Sequence, residues 1–350
     1  MRQPPRPTEP HATQPMLFCG IDVSQAALAV AVQPHDHPVE PVEQREFANS
    51  AAGHKALIAW LGRRKLPVRV SLEATGIYSL DLALALDRAP GIELAVLNPK
   101  TANRFAQSLS HRSKTDRADA LALAEYSRRM PFTPWRAPNP QALRLRALTR
   151  HIATLTEQSA REQNRLHAAQ ASAETPRLML ADLRRSLAAL HKRILRLRRD
   201  ALAQLRAGDA LRQRFELMTS IPGIAQTSAL HLIGELAALP PELSVRQWVA
   251  SSGLDPAHHD SGTSVHRRAR ISRHGNRHLR RALYMPALVA TRHDPHLKAF
   301  YDTLLARHKA RMQALIAVAR KLLHAIYGIF KTLTPYDGAK LFPNLSIHPS

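Results

Sequence analysis

The chain has one cysteine, Cys19, in 350 residues, so no internal disulfide can form. Its neighbours in "LFCGI" are apolar, which fits a buried thiol and points to a reducing, cytoplasmic setting. Acid is also scarce: 27 Asp and Glu stand against 50 Lys and Arg, a formal charge of +23. That imbalance favours a polyanionic partner, nucleic acid first and an anionic membrane surface second. The basic residues are spread along the chain, and no uninterrupted apolar run reaches the roughly 20 residues that span a bilayer. No membrane partner is expected. The opening "MRQPPRPTEPHATQP" has prolines and charges where a secretory signal needs an apolar region, so residues 1–15 read as a flexible tail.

What remains is long enough for two or more domains. "LFCGIDVS", "ALAVAVQ" and "VEQREFAN" alternate as three neighbouring strands, an antiparallel meander. A helix around "AAGHKALIAWLGRR", a strand "VRVSLEA", a helix from "YSLDLALAL" and a strand "ELAVLN" ending before Pro99 follow. Three strands and then alternating helix and strand is the order of a ribonuclease-H-like α/β domain, placed at residues 16–130. Four prolines in "PFTPWRAPNP" mark its end. Beyond them Leu145, Leu148, Ile152 and Leu155 step by three and four. After a break near Pro176 the pattern returns as Leu180, Leu183, Leu187, Leu190, Ile194 and Leu197. This predicts a helical hairpin or coiled-coil arm over 138–214, either packed on its own chain or serving dimerisation. Residues 215–338 read as a helical domain. Pro222-Gly223-Ile224 there is either a helix-hairpin-helix turn facing a phosphate or an ordinary turn. The segment "HHDSGTSVHRRARISRHGNRHLRRAL" is the most basic in the chain.

Four of the 27 acids stand out by position. Asp116 and Asp119 lie one helical turn apart in "HRSKTDRADAL", Asp22 ends the first strand in "GIDVS", and Glu73 ends a later strand in "SLEATG". Helix capping would account for the first pair alone. A carboxylate at the end of a buried strand, however, is costly unless paired or bound to a cation. In a ribonuclease-H-like sheet the first and fourth strands are adjacent, so Asp22 and Glu73 can converge, with Asp116 and Asp119 completing the cluster from one helix face. Hard oxygen ligands fit Mg²⁺ or Mn²⁺ rather than zinc. Two such ions roughly 4 Å apart clamp an in-line phosphoryl displacement, and Arg112, Lys114 and Arg117 stand ready for the phosphates. Zinc is not expected at His258, His259, His266, His274 and His278, because no spacing matches a structural zinc motif. A general acid or base among these histidines stays open.

These stretches, with "EATGIY", "NPKTANRFAQSLSHRSKTDRADALALAEY", "SIPGI" and "DSGTSVHRRARISRHGNRHLRRALYMPALVAT", resemble the insertion-sequence transposases that carry a DEDD, RuvC-like N-terminal domain and a serine-bearing C-terminal transposase domain. The resemblance runs from about residue 17 to about residue 338. It implies a DNA recombinase guided by a bridge RNA, with Asp22, Glu73, Asp116 and Asp119 as the family's four acids. It also implies that Ser261 is the nucleophile that joins transiently to a DNA phosphate, and that homodimers pair into tetramers. A serine needs external activation at neutral pH, which metal ions at the acids could supply. Arg267, Arg268, Arg270, Arg273 and Arg277 could stabilise phosphate charge. Two rivals stand beside this reading. One is a structure-selective, metal-dependent nuclease that uses water and leaves Ser261 structural; the other is a DNA-binding protein whose acids are caps.

Overall fold

The structure, a computed structural model, describes residues 15–34, 42–74, 76–109, 115–261 and 265–342, with side chains described throughout except at 257–261 and 265–269. Residues 1–14 of the expected tail, and Arg112 and Lys114, fall outside the described residues. The chain divides into two compact units at Ala137/Pro138.

The first unit is mixed α/β. Strands β1 (Leu17–Val23), β2 (Ala27–Pro34) and β3 (Glu43–Ala48) form the antiparallel meander, and β4 (Val68–Glu73) and β5 (Ile92–Leu97) continue the sheet in parallel, in the order β3-β2-β1-β4-β5. Side chains alternate between the two faces of a strand. Leu17, Cys19, Ile21 and Val23 of β1, with Val68, Val70 and Leu72 of β4, enter the main core. Helices α1 (Ala51–Gly62) and α2 (Leu80–Asp87) supply Leu57, Leu61, Leu82 and Leu86 to that core. Phe18, Gly20 and Asp22, with Arg69, Ser71 and Glu73, therefore belong to the opposite face.

That second face is covered by α4 (Asp116–Arg129) through small residues: Ala31 of β2 packs with Ala120 and Ala124. Contact with β1 is closer still. A Cβ on Gly20 would lie 2.0 Å from the Ala120 carbonyl oxygen and 2.2 Å from the Ala124 nitrogen, so only glycine lets the helix backbone rest on the strand. Buried Ser127 places its Oγ 2.7 Å from Ser71 Oγ and 3.3 Å from the Cys19 carbonyl oxygen, pinning α4 at its other end. Burial pushes the Cys19 thiol far up in pKa, so it stays protonated and inert.

One element was not evident from periodicity. Residues after Pro99 form α3 (Pro99–Ser108), started by Pro99 at the first helical position and by Asn98, whose side chain accepts from the Lys100 N–H. Its apolar stripe, Ala102, Phe105 and Ala106, spans one turn and is mostly alanine, and only Ala102 is buried, so the periodic signal is short.

The second unit is mostly helical. Helices α5 (Pro140–Gln170) and α6 (Arg177–Arg206) lie antiparallel: Gln141 at the start of α5 bonds the Gln204 carbonyl near the end of α6, and Leu166 and Ala169 meet Leu183 and Leu187 at the far end. Nearer the base, Leu145, Ile152 and Leu155 join a large core with α7 (Asp209–Met218), α8 (Gln226–Leu236), α9 (Val245–Ser252), α10 (Arg277–His293), α11 (Pro295–Ala306) and α12 (Arg311–Thr332). A short α13 (Gly338–Leu341) follows. By length and composition α12 could cross a membrane. Here it is a core helix with nine buried residues, among them Leu322, Leu323 and Ile326, and it carries Arg320 and Lys321 at its middle. Gly223 sits at φ +98°, where an added Cβ would meet the Pro286 carbonyl oxygen at 2.7 Å. Close packing against α10 thus accounts for that glycine without a phosphate.

The expectation of an all-helical second half needs correction. The basic segment forms an antiparallel hairpin, β6 (Pro256–Ser261) with β7 (Val265–Ile271). Val265, Arg267, Ala269 and Ile271 alternate with their neighbours at period two, and the run carries no helical stripe, which is the physical reason for strand.

The β1/α4 contact makes a prediction. Gly20→Ala should destabilise the first unit by about 1–3 kcal/mol, the usual cost of overpacking, because the atoms it meets are backbone and cannot rotate away. Gly62→Ala, with nothing within 4 Å of its added Cβ, should be neutral or slightly stabilising. Thermal melts followed by circular dichroism separate the two; equal midpoints would refute the packing argument.

Candidate active site

Ile21 of β1 pairs in parallel register with Leu72 of β4, so the next residues, Asp22 and Glu73, end neighbouring strands side by side, on strands spaced about 4.8 Å apart. Both point to the α4 face and both are half-buried. Asp119 immediately precedes Ala120, the residue whose carbonyl abuts Gly20, so the close contact carries it to the same end of the sheet. Helix α3 adds Lys100 and Asn103. Asp22, Glu73, Lys100, Asn103 and Asp119 line one cleft of about 250 Å³.

Asp116 behaves differently. It occupies the first position of α4, exposed, and does not line the cleft. Nor is it the cap: Thr115 takes that role, its Oγ1 accepting from the Ala118 N–H. Both acids lie in the first turn, where the helix dipole favours them. The structure thus brings three of the four expected acids to one cleft and leaves the fourth at its margin. Among the described residues no three His, Cys, Asp or Glu side chains come close enough to share one ion. The donors themselves, three carboxylates and one amide carbonyl, are hard oxygens of the kind Mg²⁺ or Mn²⁺ takes. By chemistry the set fits such a cation; by proximity it is not closed around one.

Of the basic residues expected beside the acids, Arg117 is described and is exposed in the first turn of α4. In the second unit, Ser261 ends β6, its backbone paired with Val265; residues 262–264 and the Ser261 side chain lie outside what is described. The same holds for the side chains of Arg267 and Arg268, and of His258, His259 and His266. Arg270, Arg273 and Arg277 are exposed. Arg273 adopts φ +54° where the chain leaves β7, its N–H bonded to the Gly253 carbonyl. The neighbouring arginines are occupied: Arg280 donates to the Ser252 and Gly275 carbonyls at 2.8 and 3.0 Å, and Arg281 pairs with Glu157.

Two family models match the chain. One, of the DEDD transposases of the IS110 type, covers residues 19–171; the other, described as Transposase IS116/IS110/IS902 family, covers 215–302. The chain is similar to the pilin gene-inverting protein of Moraxella bovis, 26% identical over 91% of this chain and 97% of that one. It is similar to the insertion element IS110 43.6 kDa protein of Streptomyces coelicolor, 30% identical over 46% of this chain and 38% of that one. The insertion element IS116 44.8 kDa protein of Streptomyces clavuligerus is 24% identical over 90% and 94%. An α/β unit with acids at one sheet end, followed by a helical unit with a basic hairpin, is therefore that of a transposase, an enzyme that cuts and rejoins DNA. The chain belongs to the IS110 family.

Sequence reasoning missed Glu235. It is 3% exposed on α8, and its carboxylate accepts two hydrogen bonds from Arg150 of α5, at 2.7 and 2.8 Å, and one from Asn276 Nδ2 at 2.5 Å. Asn276 also caps α10, its Oδ1 accepting from the His278 and Leu279 N–H groups. One carboxylate thus ties the long hairpin to the point where the chain enters α10 after β7. A lone acid within apolar "HLIGEL" was the available signal. Burial pushes Glu235 up in pKa, but the hydrogen bonds from Arg150 and Asn276 and the charge on Arg150 outweigh it, and the net shift is downward. A depressed carboxylate contributes stability above its unfolded pKa and loses it as pH falls through its folded one. The second unit should therefore weaken below about pH 4.5, from the ordinary carboxylate range downward. Glu235→Gln should cost about 1–2 kcal/mol at pH 7 and flatten that acid limb. Urea melts across pH 3–7 check this; an unchanged acid limb would show that Glu235 does not govern it.

Proposed function

We propose that this transposase cuts and rejoins DNA at a Mg²⁺- or Mn²⁺-dependent acidic site on a RuvC/ribonuclease-H-like unit, through a covalent serine–DNA intermediate. The observation that carries it is the convergence of Asp22, Glu73 and Asp119 from β1, β4 and α4 on one cleft at the end of the sheet. The strand order, with β4 parallel to the first strand of an antiparallel meander, supports the ribonuclease-H-like reading. Asp116, one turn before Asp119, completes the ligand set by a change of rotamer or of the α4 start. A bound Mg²⁺ or Mn²⁺ supplies charge that stabilises the attacking and leaving oxygens. Ser261 Oγ forms a bond to phosphorus, giving up its proton, while the bond to the departing sugar oxygen breaks and that oxygen is protonated. The reverse step, with a new strand's hydroxyl, restores the phosphodiester without ATP. The M. bovis relative's name, a gene-inverting protein, supports rejoining over hydrolysis, since inversion leaves the DNA joined.

Exposed Arg117, Arg270, Arg273 and Arg277, with Arg112, Lys114, Arg267 and Arg268, contact phosphates of donor and target DNA and of a bridge RNA that selects the sites. Homodimers assembling to homotetramers bring acids and serine of different subunits together, the α5/α6 coiled-coil arm providing the seam. A structured RNA encoded beside the gene, with two loops complementary to donor and target, should copurify with the protein.

Two outcomes test the chemistry. Asp119→Asn and Asp22→Asn should each lower strand cleavage at least about 100-fold, a loss in the range typical for displaced catalytic groups, with DNA affinity retained, and chelator should do the same to the wild type. Full cleavage in chelator would remove the metal. Denaturing gels of a stalled reaction should show DNA attached to a peptide containing Ser261, and Ser261→Ala should lose both adduct and recombination. Cutting at the wild-type rate by Ser261→Ala, with no adduct, would establish the water-using nuclease instead.

A further inference from the structure

Within the second unit a cavity of about 180 Å³ opens between α5, α6, α8 and α10. Its lining differs from that of the acidic cleft: Arg198 from α6, His231, Thr227 and Ser228 from α8, and His278 from α10. At about 30 Å³ per water in the liquid, the space takes a phosphate group with part of its hydration.

We infer that this cavity binds one backbone phosphate of a nucleic acid, held by the Arg198 guanidinium, the two imidazoles and the start of α8. Four observations carry this. First, among the described residues the other arginines of the lining are paired, Arg150 with Glu235 and Arg281 with Glu157, whereas Arg198 forms no ion pair. Second, Arg198 lines the cavity, and its Nε, shielded from solvent, has no hydrogen-bond partner among the described residues, an arrangement that costs free energy. Third, the residue preceding α8, Ala225, has no side chain that can cap it, so Thr227 and Ser228 stand in a first turn whose N–H groups no side chain satisfies among the described residues. Fourth, the single carboxylate in the lining, Glu235, already accepts three hydrogen bonds and does not compete for Arg198.

The histidines set the pH behaviour. Desolvation first, and then Arg198 and His278, hold His231 below its ordinary pKa, with Glu235 opposing; desolvation first, and then Arg150, hold His278 down, with Glu235 opposing and Arg277 adding. Both are thereby biased toward the neutral form. A phosphate beside them favours their charged forms, so binding takes up protons and tightens as pH falls.

The experiment reads binding rather than cleavage, so an inactive acidic cleft would leave its outcome unchanged. Full-length protein with ring-labelled histidine is followed by NMR, the two signals being assigned by their loss in His231→Gln and His278→Gln. Titration with a short duplex should shift both signals and raise their titration midpoints, and dimethyl phosphate should do so only at much higher concentration. Arg198→Ala should abolish the shifts and make the slope of log K against log salt for duplex binding shallower by about 0.9. Arg198→Lys, which keeps the charge, should retain the slope. Unmoved signals with duplex, or an unchanged salt slope in Arg198→Ala, would overturn the proposal. Inorganic phosphate that shifts the signals and is not displaced by duplex would likewise overturn it, by identifying a small-anion site.

Discussion

The first unit depends on a contact in which no side chain takes part on one side: the backbone of α4 resting on Gly20 of β1. Hydrophobic burial is non-directional and would let a helix slide or rotate on a sheet. Here Gly20, Ala31, Ala120 and Ala124 bring the two backbones together. The hydrogen-bonded pair Ser71 and Ser127, which is directional, fixes the helix along and about its axis. Successive helical residues differ by about 100° in direction, so a one-residue slip would swing Asp119 away from Asp22 and Glu73. The acidic cleft is thus set by a helix-to-strand contact whose own residues carry no chemistry.

How much of this was legible follows from the kind of signal each element gives. Strands β1 to β5 were legible because alternation and apolar runs mark them, and Asp22 and Glu73 stood out as acids at the ends of such runs. Helix α3 was not, since its stripe of Ala102, Phe105 and Ala106 covers a single turn and buries only Ala102, and with it Lys100 and Asn103 stay hidden in the sequence. Asp116 and Asp119 were indistinguishable in sequence because both fit one helix face. Which of them reaches the cleft depends on where α4 is held, and that is decided at Gly20, some hundred positions earlier in the chain. In the basic hairpin the number of arginines drew attention away from the period-two pattern of Val265, Arg267, Ala269 and Ile271. The number of charges says nothing about conformation, whereas their spacing does.

The arginines near α10 illustrate a second limit. Sequence presents Arg267 to Arg281 as one basic run, and a run of charge suggests one function. The structure divides it. Arg280 satisfies the Ser252 and Gly275 carbonyls and Arg281 pairs with Glu157, so both serve the fold, whereas Arg270, Arg273 and Arg277 remain exposed. Glu235 makes the same point with opposite sign. It is an acid in an otherwise apolar helix, as Asp22 and Glu73 are acids in apolar strands, yet its partners are Arg150 and Asn276 and its role is to brace. A buried acid in sequence therefore poses a question of pairing that only its neighbours answer.

Charge also constrains how such a molecule can meet DNA. A chain of formal charge +23 attracts phosphate almost anywhere on its surface, so general attraction cannot direct a strand to one place. A cleft lined by Asp22, Glu73 and Asp119, with Lys100 beside them, instead sets carboxylates where the reacting phosphate must come close. In the proposed reading the repulsion between them is useful. A phosphodiester is excluded from the acids until a cation balances them, so cleavage is coupled to a complete site while the exposed arginines hold the rest of the strand.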